Sequence, residues 1–187
     1  MFAAQVVYNP YKYVSYFTLM NSESIKSLID ELKNLANADH GAACLSASDD
    51  FFAPKERMLA SHDPEWKEDV YDDHGKWMDG WESRRKRQHG HDFCVVRLSA
   101  PGVIRVIEIS TEYFTGNFPP LASLDGCRLD HDPNDETEWT EILSQESLQG
   151  NNRHFFKLDN EISWSHVRLN IYPDGGVARL RIYGENT

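Results

Sequence analysis

At 187 residues the chain is long enough for one domain with a proper core, and 40% hydrophobic against 26% charged residues excludes a disordered or collagen-like polymer. The net charge of −11 opposes a phosphate backbone, whose affinity comes from a basic face, so no nucleic-acid partner is expected. No apolar run approaches the roughly 18 residues of a membrane span, and residues 1–10 lack the basic and apolar stretches of a signal peptide; a soluble, cytoplasmic protein with no membrane partner is expected.

The chain opens on an aromatic-rich arm over 1–21 (Phe2, Tyr8, Tyr11, Tyr13, Tyr16, Phe17) that follows no period and is read as irregular, with a single domain over 22–187 behind it. Ser22 is a candidate cap, and Ile25, Leu28, Ile29, Leu32 and Leu35 recur at helical spacing, which predicts one helix from Ser22 to about Asp39. Asp49, Asp50 and Pro54 mark a loop, and residues 61–76 show no apolar period and read as a long surface connection. From Phe93 the period shortens to two. Runs over 93–98, 103–109, 121–124, 154–158, 167–172 and 177–183, separated by turn signals, predict a mainly all-β chain built as an antiparallel sandwich or jelly roll.

Pro173-Asp174-Gly175-Gly176 reads as the turn of a hairpin between the last two runs. Pairing Val167, Leu169 and Ile171 inward with Ala178, Leu180 and Ile182 would turn Arg168, Asn170, Arg179 and Arg181 outward on one face. No internal repeat is visible. Cys44, Cys94 and Cys127 cannot all pair and have no metal-type spacing, so they are expected as reduced thiols, with Cys94 a small core residue.

Positive charge gathers where the rest of the chain is acidic: residues 84–105 hold six basic residues and one acidic. The densest mixture is Lys76-Trp77-Met78-Asp79-Gly80-Trp81-Glu82-Ser83-Arg84-Arg85-Lys86-Arg87, followed by His89-Gly90-His91-Asp92. Glu82, two and three residues from Arg84 and Arg85, offers a general acid or base beside cations able to grip a carboxylate. The plain alternative is a solvated loop in which Glu82 pairs with those arginines as a brace. His89, His91 and Asp92 could ligate a metal or simply hydrogen-bond within the loop; no cofactor is called for and any metal requirement stays open. Ser83 lacks the glycine setting of a hydrolase elbow, and no phosphate-binding loop is present. Residues 114–120 and 170–176 read as further ligand loops gathered at one end of a sandwich.

These residues carry a resemblance to the allantoicase (allantoate amidinohydrolase) family. It runs through Ser48-Asp49-Asp50-Phe51-Phe52-Ala53-Pro54, the Gly75 to Arg87 segment, Gly90-His91-Asp92, Pro101-Gly102, Phe114-Thr115-Gly116-Asn117-Phe118-Pro119-Pro120 and the Leu169 to Leu180 segment, over roughly residues 34 to 184. The resemblance implies a galactose-binding-like jelly-roll β-sandwich and a hydrolase that converts allantoate to ureidoglycolate and urea in allantoin and purine catabolism. It also implies two repeats in a chain about twice as long, of which only the first type is present here. A homo-oligomer is therefore expected, and the rival reading is a non-catalytic small-molecule-binding or interaction module.

Against that small anionic ureide substrate, residue chemistry nominates Glu82 first for proton transfer, then Asp79 and Asp174, with His91 or His154 sharing it. Arg84, Arg85, Arg168 and Arg179 are candidates for the carboxylate, and Asn117 and Asn170 for the ureido groups.

Overall fold

The computed structural model of the protein describes residues 22–187. The expected arm over 1–21 and capping by the Ser22 side chain lie outside what is described. Helix α1 (Ser22–Asp30) places Ile25, Leu28 and Ile29 on its partly buried face. It is shorter than its apolar spacing predicts, because the chain beyond it is captured by a sheet edge. Strand β1 (Lys33–Asn34) pairs with the last strand of the chain, the Leu35 amide donates to the Ile182 carbonyl at 2.7 Å, and the Ser99 amide donates to the Leu35 carbonyl. Leu35 continues the helical spacing, yet it enters the core from this edge, 1% exposed.

The remaining strands follow as β2 (Ala43–Ala47), β3 (Tyr71–Asp72), β4 (Gly75–Lys76), β5 (Trp81–Glu82), β6 (Asp92–Ser110), β7 (Leu121–Cys127), β8 (Thr140–Ser147), β9 (Arg153–Lys157), β10 (Ser163–Tyr172), β11 (Gly176–Val177) and β12 (Arg179–Asn186). The two runs expected over 93–98 and 103–109 are one strand, β6, continuous through Pro101-Gly102. Its first half pairs with β2 and β10, and β10 pairs on with β7 and then β8. Its second half pairs with β12 and β9. A strand that changes partners midway ties the two layers of a β-sandwich together, and the alternating residues Val96, Ile107, Leu124, Leu169, Ile171, Leu180 and Ile182 fill one core between them.

This topology corrects the predicted hairpin. β10 and β12 are not partners; each pairs with β6, so residues 173–178 carry the chain from one layer to the other instead of turning it back on itself. The shared arginine face is lost with the hairpin. Arg179 and Arg181 are buried, whereas Arg168 lies on the outer face of β10, bound to Asp125 on β7. Strand β8 escaped the period-two reading because its ladder to β7 shifts register twice, at Ala122/Leu124 and Leu124/Asp125, which breaks the alternation.

Between β2 and β6 a strap over residues 61–77, including the β3–β4 hairpin, packs across the sandwich. No helix among the described residues is long and apolar enough to cross a membrane.

Candidate active site

Three distant segments interlock around β5. Its two residues alternate as a strand requires: Trp81 points into the core with no exposure, its Nε1–H donating to the Asp49 carbonyl at 2.8 Å, and Glu82 points the other way. Glu82 exchanges backbone hydrogen bonds with Ala53 on one side, and β5 pairs with β11 on the other. The Ser83 amide donates to the Gly175 carbonyl, the Gly175 amide donates to Ser83 Oγ, and the Gly176 amide donates to the Asn117 carbonyl at 2.7 Å. Glycine is required at 175 and 176: Gly175 has φ +136, and a Cβ at Gly176 would fall inside the Phe114 ring. The loops over 48–53, 80–92, 114–119 and 172–177 therefore meet at one place.

Glu82 lies at their centre. Its Oε1 accepts a 2.6 Å hydrogen bond from Asn117 Nδ2. Burial pushes the carboxyl above its ordinary value, and the Asn117 hydrogen bond only partly opposes this. Glu82 is not braced by its neighbouring arginines. Arg84 instead grips Asp49 through Nε at 2.7 Å and its amide at 2.8 Å, and its guanidinium lies 4.9 Å from the Phe51 ring. Partial burial pushes Asp49 up, but the Arg84 and Phe51 hydrogen bonds outweigh it and hold the carboxyl below its usual value. Arg85 is exposed, and among the described residues its side chain has no partner.

Lys86 fastens the basic loop down. Its amide donates to Asp174 Oδ2 at 2.7 Å and its Nζ to Asp92 Oδ1 at 2.6 Å; Asp92 is 1% exposed and also accepts from Ser48 Oγ. His91 stacks on Tyr172 at 4.6 Å, and the Tyr172 hydroxyl meets Ser123 Oγ at 3.0 Å. Among the described residues no three His, Cys, Asp or Glu side chains are grouped so as to hold a metal ion.

The structure thus brings together Glu82, Arg84, Asn117 and Asp174, with Arg85 and His91 on the same 80–92 loop as Glu82. It sets the other nominated residues elsewhere. Asp79 and Arg179 form a buried pair under the strap. Asn170 is 2% exposed on β10, donating to Ser123 and Asp125, and Arg168 binds the same Asp125 and stacks on Trp139. His154 accepts the Gln149 amide at Nε2 and donates from Nδ1 to the Ile109 carbonyl, and burial lowers its pKa. Asp49, Lys86 and Ser48 were not nominated, and Asp92, a possible metal ligand in the sequence, is instead bound by Lys86 and Ser48. Asp49 and Ser48 belong to a loop legible in the sequence, but only the contact partners reveal their part.

Among solved structures the sandwich is similar to an allantoicase (TM-score 0.79, 27% identity, 91% of this chain and 55% of that one) and to the allantoicase of Saccharomyces cerevisiae (TM-score 0.68, 30% identity, 83% and 44%). A family 32 carbohydrate-binding module of Clostridium perfringens, at 12% identity and TM-score 0.56, shares the fold alone. The allantoicase repeat model matches residues 33–187, so the chain belongs to the allantoicase family. A probable allantoicase of Photobacterium profundum is 60% identical over 156 residues, covering 83% of this chain and 47% of the relative; one from Pseudomonas aeruginosa is 55% identical over 152 residues, covering 81% and 46%. The chain spans about half the length of the curated relatives it matches.

Proposed function

We propose that this chain hydrolyses allantoate to ureidoglycolate and urea as a cytoplasmic homo-oligomer. The observation that supports this reading most is the half-buried Glu82 carboxyl, raised by burial and bonded to Asn117 where the family's loops meet below a cationic rim. A carboxyl whose pKa is raised keeps its proton to higher pH than an ordinary one and can release it to a departing nitrogen.

In the proposed step the bond between the central carbon of allantoate and one ureido nitrogen breaks. Glu82 delivers a proton to that nitrogen, so urea leaves neutral. The oxygen of a water molecule bonds to the central carbon, and the water's surplus proton returns to the Glu82 carboxylate. Arg85 attracts the substrate carboxylate, and Asn117 hydrogen-bonds the remaining ureido group. Lys86 and Asp174 hold the loop that carries Arg85, and His91 borders it.

The half-length match supports a second reading, in which the chain binds a ureide without turning it over. Urea release from allantoate by the purified full chain separates the two. Release that Glu82→Gln suppresses supports the hydrolase; calorimetric binding of allantoate with no urea formed supports the module.

A further inference from the structure

The strap over 61–77 presents an apolar surface that the candidate site does not use. The exposed large apolar side chains among the described residues are Phe51, Trp66, Val70, Tyr71, Tyr113 and Ile162. All but Ile162 lie on the strap or beside it. Trp66 stacks near Tyr113 at 5.9 Å, and Tyr71 is 67% exposed. Phe51 joins this patch to the basic loop, with His74 at 3.8 Å on one side and Arg84 at 4.9 Å on the other.

Charge divides across the same line. On the strap Glu68, Asp69 and Asp73 are exposed, and on the basic loop Arg85 and Arg87 are exposed; among the described residues none of the five has a partner. One molecule thus carries two complementary patches side by side, meeting at Phe51. A two-fold axis through that boundary sets each patch against its complement on the other copy, which is the self-complementarity an isologous dimer needs. Aromatic burial would supply the affinity, and the charges the orientation, since exposed ion pairs contribute little alone.

We propose that two copies of this chain pair about an axis at Phe51, the acidic aromatic strap of each lying on the Arg84–Arg87 loop of the other. The partner's strap would then wall the Glu82 site. The proposal names the face for the oligomer suggested above, and it is read without turnover.

The test uses light scattering on the full chain at about 50 µM, well above a micromolar Kd. Two double variants are compared: Arg85→Glu with Arg87→Glu, and Glu68→Lys with Asp73→Lys. Wild type should be a dimer, each variant alone a monomer, and an equimolar mixture of the two a dimer again, because opposite reversals restore both contacts. Monomeric wild type overturns the proposal, as do variants that stay dimeric; the latter leaves an oligomer built on another face. Should either variant fail to fold, amide exchange of wild type decides: residues 66–73 and 85–89 must slow on raising the concentration from about 1 to about 100 µM, and unchanged exchange there overturns it.

Discussion

Arg179 and Asp79, a hundred positions apart in the chain, meet at 2.7 Å with side-chain exposures of 0% and 5%. Arg179 also donates to the carbonyls of His62, Asp79 and Ala178, and the Asp79 carboxylate accepts the Glu65 amide. The pair pins the strap to β12. Removing one partner leaves a buried charge uncompensated, which costs about 3–5 kcal/mol. Asp79→Asn and Arg179→Met should each lose stability of that order in urea denaturation. A loss under about 1 kcal/mol would show that water replaces the missing partner.

Glu82 should behave in the opposite manner. Removing an acid or base usually costs about 10²- to 10⁴-fold in rate, so Glu82→Gln should lower kcat for urea release by that order while the chain stays folded. Full activity in a well-folded variant ends the assignment.

The same carboxyl predicts a pH signature. Its folded pKa lies above its unfolded value, so the folded state binds the proton more tightly. The stability it contributes is present below the ordinary carboxylate range and lost as pH rises through the raised folded value. Glu82→Gln abolishes that loss and keeps an oxygen for Asn117. The Tm of the variant minus that of wild type should therefore increase between about pH 4 and about pH 8. A difference independent of pH would contradict the raised value.

Arg84 and Arg85 should separate cleanly despite being neighbours. Arg85→Ala removes an exposed cation that has no partner among the described residues and should raise KM about ten- to a hundred-fold, the range for one charged hydrogen-bonding group. Arg84→Ala frees Asp49 of its main opposing charge, and burial then pushes the Asp49 carboxyl upward, visible in an NMR titration. An Asp49 titration untouched by Arg84→Ala would contradict the pairing.

Gly176→Ala tests the junction of the loops. The added methyl overlaps the Phe114 ring, and overpacking of this kind costs about 1–3 kcal/mol. Unchanged thermal stability would mean that Phe114 moves aside freely.

The sequence alone determined much about this protein. Alternation along 167–172 showed that Leu169 and Ile171 face a core, and the ordered loop motifs pointed to the family before any contact was known. Those signals are local, because the side-chain period of a strand depends only on its own backbone. Tertiary structure alone decided what each face meets. Helical spacing through Leu35 is satisfied equally by a sheet edge, so α1 stops at Asp30. A glycine-rich turn between two good strands suits a hairpin or a crossing between layers, and here β6 takes both strands as its own partners. Arg179 and Arg85 are indistinguishable as letters. One is buried against a carboxylate a hundred residues away and the other is exposed with no partner among the described residues, because burial and pairing depend on the whole chain's packing.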